Sequence, residues 1–151
     1  MSVKSFLCAV FVCVVAFPAM ACSPCAGTLS LEETIAAAEL VVLAERTDYK
    51  EGEVSATEPS GPEFIRVRVL KTLKGTAPDS ELNVHSWYGM CPYGIYLGNK
   101  MQAVIYLVKK EDAFDSVGSG CAQQTNDVVD GQVQVRDKKI PMDEFIATYI
   151  K

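Results

Sequence analysis

Leu40-Val41-Val42-Leu43-Ala44 is an unbroken apolar run, and its reading decides the fold. No polar residue alternates through it, so a strand formed here must be covered on both faces. Phe64-Ile65-Arg66-Val67-Arg68-Val69 reads differently. Ile65, Val67 and Val69 alternate with two arginines, the pattern of a strand with one buried face and one wet face. Leu82 and Val84, set among Glu81, Asn83 and His85, repeat that alternation over a shorter span. Met101 to Val108 is the most apolar of these stretches, and Lys109-Lys110-Glu111-Asp112 stops it. A series of short strands predicts a mainly β domain. In so short a chain, closure into a small antiparallel barrel is the economical way to avoid exposed strand edges.

The flanks supply a helix at each end. Ser30 and Glu33 stand three apart, a capping box that opens a helix through about Ala38, and the alanines at 36–38 favour it. Pro141, placed in a first helical turn, opens a closing helix from Met142 to Ile150 with Phe145, Ile146 and Tyr149 on one face. Residues 48–63 are rich in Pro, Gly and charge, and read as a long solvated excursion. Leu73-Lys74-Gly75 ends the second strand, and Ala77-Pro78-Asp79-Ser80 makes the turn after it. Asp130-Gly131 between Val128-Val129 and Val133-Gln134-Val135 predicts a tight hairpin. Gly118-Ser119-Gly120 lacks a strand before and a helix after, so it reads as a flexible lead-in to Cys121 and not as a phosphate loop.

The N-terminus carries a different message. Lys4 precedes an apolar run from Phe6 to Phe17, followed by Pro18-Ala19-Met20-Ala21 and Cys22. A charged start, an apolar core too short to span a bilayer and small residues at −3 and −1 predict a signal peptide over 1–21, cleaved after Ala21. Residues 22–151 then form a single domain, secreted or periplasmic. Cleavage removes one base, Lys4, leaving thirteen basic and nineteen acidic residues and a net charge of −6. Such a domain repels phosphate backbones, which excludes nucleic acid as a partner, and no later stretch reads as a transmembrane segment.

Six cysteines become four on export, since Cys8 and Cys13 leave with the signal. Cys22, Cys25, Cys91 and Cys121 in an oxidising compartment read as two disulfides, with three pairings open. Cys22-Ser23-Pro24-Cys25 has the spacing of a thiol redox motif, but no strand precedes it and the first helix signal comes only at Ser30. A zinc site is disfavoured because the four cysteines contain a single Cys-x-x-Cys. A lipid anchor at Cys22 is the remaining alternative. Ala19 stands where a lipobox usually has Leu, and acylation would strand one cysteine.

No catalytic constellation and no cofactor motif is visible, so the chain reads as a non-enzyme. His85, the single histidine, falls on the solvent face of its strand and reads as structural. Trp87, Tyr88, Tyr93 and Tyr96 form an aromatic cluster that suits either a binding ridge or the lid of a barrel core.

Taken in order, these markers resemble a known family. They are the cysteines at the head of the mature chain, Ala38-Glu39-Leu40-Val41-Val42-Leu43-Ala44, Phe64-Ile65-Arg66-Val67 through Leu73-Lys74-Gly75, Cys91, and an apolar strand before Cys121. The chain is similar to the netrin-like domains, specifically the inhibitory domain of the tissue inhibitors of metalloproteinases and their single-domain bacterial relatives. The resemblance implies a five-stranded OB-type barrel with disulfides Cys22–Cys91 and Cys25–Cys121. It also implies inhibition of a zinc metalloprotease. The α-amino group and carbonyl of Cys22 chelate the enzyme's zinc, Ser23 points into its specificity pocket, and Tyr88, Gly89 and Met90 extend the contact. The family has one residue between its first two cysteines, whereas this chain has Ser23-Pro24. A non-inhibitory extracytoplasmic module that binds a protein or other ligand is the alternative reading.

Overall fold

The computed structural model describes residues 28–50, 63–86, 94–99, 101–120 and 124–151. Cys22, Cys25, Cys91 and Cys121, and Ser23, Trp87, Tyr88, Gly89, Met90 and Tyr93, lie outside them. Among the described residues the order is α1 (Leu31–Ala37), β1 (Leu40–Arg46), β2 (Phe64–Lys74), β3 (Glu81–His85), β4 (Gln102–Lys110), β5 (Ala113–Ser116), β6 (Thr125–Val129), β7 (Gln132–Val135), β8 (Lys138–Pro141) and α2 (Met142–Tyr149).

Five strands close on themselves. The order β1-β2-β3-β5-β4 returns to β1 through the β1–β4 ladder, Leu40↔Leu107 to Glu45↔Gln102, and β3 meets β5 in parallel. This is the OB-type barrel. Two register shifts in the β1–β2 ladder, at Val41/Val42 and Leu43/Ala44, bend β1 as closure of so few strands requires. On its other edge β4 carries β5 along residues 107–110 and β6 along residues 102–105, and β6 leads on to β7 and β8. The barrel therefore continues into a three-stranded flap.

The apolar runs of β1 and β4 are explained by two cores. Leu40, Val42 and Ala44 with Ala103, Ile105 and Leu107 point into the barrel, where Ile65, Val67, Leu82 and Val84 meet them. The alternate residues Val41, Val104 and Tyr106 point outward and are covered by Leu31 and Ile35 of α1, Phe145 of α2, and Val128 and Val133 of the flap. Among the described residues β2 and β3 have no such cover, and their outward residues alternate with buried ones.

The capping box forms as expected. The Glu33 amide donates to Ser30 Oγ at 3.1 Å and the Ser30 amide donates to Glu33 Oε2 at 2.7 Å. The Ser30 amide, with the Ser30 hydroxyl second, holds the Glu33 carboxyl below its ordinary pKa. At the other end of α1, Lys74 Nζ reaches from β2 to the carbonyls of Ile35 and Ala36 at 2.7 and 3.0 Å. The hairpin at Asp130-Gly131 is also present, with φ of 52° and 74°.

Three local readings differ. After Lys109-Lys110-Glu111-Asp112 the chain turns directly into β5, whose residues 113–116 carry one large apolar side chain and so give little periodic signal. The stretch before Cys121 forms a turn of 3-10 helix, Val117–Gly120. Pro141 ends β8 and is the N-cap of α2 instead of its first residue.

Candidate functional site

One end of the barrel gathers the roots of the two segments that separate β1 from β2 and β3 from β4. At the first root, the Thr47 amide donates to the Arg66 carbonyl at 3.0 Å and the Arg66 amide donates to Asp48 Oδ2 at 2.9 Å. At the second, Ser86 and Ile95 form a parallel bridge and the Ile95 amide donates to the His85 carbonyl at 2.8 Å. The residues on either side of 87–93 thus lie side by side. Gly94 is required at that crossing. Its φ is 89°, and a Cβ there would sit 2.4 Å from the Ser86 carbonyl oxygen.

The barrel end is plugged by Ile95 and Leu97, which are fully buried in the inner core. Tyr96, between them, faces outward and is 42% exposed. Of the four aromatics in the cluster, the one the structure describes is on the surface, while aliphatic neighbours fill the barrel mouth.

Arg46 ties the two roots together. It continues the inward series Leu40, Val42, Ala44, and its side chain is 4% exposed. A guanidinium taken out of water must be paired. Arg46 Nε donates to Asp48 Oδ1 at 2.9 Å, Nη1 donates to the Leu97 carbonyl at 3.2 Å, and the group lies 5.3 Å from the centre of the Tyr49 ring. Asp48 thus joins Arg46 to the β2 backbone, and Arg46 joins both to the segment after residue 93. Arg46 belongs to no motif, and its signal is in the register: a cation at an inward position of a buried strand.

His85 is only partly exposed. Its ring meets Phe64 edge-on at 4.6 Å, and Nε2 lies 4.0 Å from Glu63 Oε1. Among the described residues no group of three or more His, Cys, Asp or Glu side chains is placed to hold a metal ion, and no helix is long and apolar enough to cross a membrane. The described part of this end offers backbone groups, the exposed Tyr96 and the Arg46–Asp48 frame beneath them. Comparison with family models, with curated proteins and with solved structures gave no match for this chain.

Proposed function

We propose that this chain is an exported inhibitor of a zinc endopeptidase, acting through the terminus that signal cleavage creates at Cys22. A catalytic zinc with three protein ligands keeps an open position for water. The free amine and carbonyl oxygen of Cys22 take that position, Ser23 enters the neighbouring subsite, and Tyr88, Gly89 and Met90 widen the contact. An α-amine with an ordinary pKa of about 7.7–8.0 loses its proton readily enough near neutrality to bind metal. The observation that carries the reading is the OB-type barrel in which Arg46 ties together the described roots of two inter-strand segments at one end. A protease inhibitor needs such a pre-organised edge, since ordering a loose one on binding costs affinity.

The test uses exported protein whose first residue has been read by N-terminal sequencing. Native protein is expected to inhibit a zinc endopeptidase, and a variant extended by one N-terminal Ala is expected to lose nearly all inhibition. Equal inhibition by both forms, or a blocked and acylated Cys22, would overturn the assignment.

A further inference from the structure

A shallow trough runs down the outer side of β3, on the wall of the barrel. Its near side is the outer face of the β2–β3 ladder, where Phe64 stands opposite His85, Arg66 opposite Asn83, and Arg68 opposite Glu81. Its far side is the β4–β5 turn. Two adjoining depressions of about 310 and 470 Å³ share Asn83, Glu111, Asp112 and Ala113. The trough follows the weakest seam of the barrel: β3 meets β5 through the single register pair Val84↔Phe114, against five pairs between β2 and β3.

Three features point to one ligand chemistry. Phe64 is 41% exposed and stands beside the His85 ring, so an apolar ring borders hydrogen-bonding groups at one end of the trough. The charges nearly cancel. Arg66, Lys109 and Lys110 are set against Asp79, Glu81, Glu111 and Asp112, so a polyanion and a polycation would each meet repulsion. Donors and acceptors are interleaved, since Asn83 supplies both, the cations donate and the carboxylates accept. A sugar ring presents the matching surface, with hydroxyls that donate and accept and a C–H face that packs on an aromatic ring. OB-type barrels use the faces of their second and third strands, with the loop between the fourth and fifth, for oligosaccharides as well as oligonucleotides. The acidic balance of this domain removes the second class.

We propose that this trough binds an extended, uncharged oligosaccharide, with Phe64 as the stacking platform and Asn83, Arg66 and Glu111 as hydrogen-bonding groups. The reading does not draw on the Cys22 terminus and stands whether or not the chain inhibits a protease. The test titrates the exported protein with chitohexaose, cellohexaose and maltohexaose to about 1 mM while following backbone amide shifts. At least one hexasaccharide is expected to move the amides of Phe64, Asn83, His85 and Ala113. Phe64→Ala is expected to weaken that binding about tenfold, with the unfolding midpoint held within a few degrees, because the ring is largely outside the core. Asn83→Ala, also on the surface, is the second variant. Absence of shifts with all three sugars, shifts confined to another face, or an affinity indifferent to both substitutions would each overturn the proposal.

Discussion

Tyr106 lies on the outward side of β4 and is fully buried beneath the flap. Its hydroxyl donates to Asn126 Oδ1, and Asn126 Nδ2 donates to the Gln134 carbonyl at 2.6 Å, so the polar atoms of this buried chain are satisfied. Burial, with a smaller contribution from the charge of Tyr149, pushes the Tyr106 phenol far above its ordinary pKa. In the unfolded chain the phenol ionises near pH 10, whereas burial in the folded protein raises that value. Its contribution to stability is therefore fully present below about pH 10. Above that it falls by about 1.4 kcal/mol per pH unit for as long as the folded phenol keeps its proton. Urea unfolding from pH 8 to 11 measures that slope. Tyr106→Phe is expected to flatten it and to cost about 1–2 kcal/mol at neutral pH, because Asn126 loses its donor. An unchanged slope in the variant would assign the alkaline loss to other groups. Residues of this kind are hard to read in advance: Tyr106 sits in a run that is apolar throughout, and nothing local says that Asn126, twenty residues on, will meet it. Arg46 was legible by parity once β1 was granted. Cys22, Cys25, Cys91 and Cys121 lie outside the described residues, and their pairing rests on resemblance.

Elements with strong periodicity were read well, and those whose partners lie outside themselves were not. The capping box of α1, the alternation of β2 and β3 and the hairpin at Asp130-Gly131 each carry a local cause, and each formed. β5 and β8 carry none: Ala-Phe-Asp-Ser and Lys-Lys-Ile-Pro become strands because β4 and β7 offer them edges. The two flap hairpins make the contrast plain. Asp130-Gly131 satisfies a positive-φ turn with the residues it favours, whereas the β7–β8 turn places Arg136 at φ 53°. A long side chain in the left-handed region costs of order 1 kcal/mol, which glycine does not incur. Arg136→Gly relieves that strain and adds some unfolded-state entropy, so a net gain of about 0.5 kcal/mol is expected in thermal or urea unfolding. A loss of stability would mean that the arginine side chain makes a contribution larger than the strain.

At the scale of the whole molecule, closure and covering divide the labour. The barrel leaves no free edge of its own, and the eight-stranded sheet ends at β8, a four-residue strand carrying Lys138, Lys139 and Pro141, residues that discourage pairing with another chain. The two apolar strands β1 and β4 form the partition between the inner core and the outer one, so the short helices and the flap depend on the barrel wall for their burial. Leu31 and Ile35 of the seven-residue α1 join the outer core. On the pairing implied by the family resemblance, Cys22–Cys91 and Cys25–Cys121 would tether the segment before α1 to the barrel. Each would close a long loop, and the first alone is worth about 4 kcal/mol on chain-entropy grounds, a large share of the 5–15 kcal/mol by which domains of this size are stable. Non-reducing peptide mapping of exported protein is expected to recover those two linked pairs. Reduction is expected to lower the unfolding midpoint by about 10 °C or more and to abolish protease inhibition before the barrel unfolds, because the Cys22 amine is released from its anchor. A Cys22–Cys25 link, or a midpoint indifferent to reductant, would detach the terminus from the barrel and leave the inhibitory tip without a support.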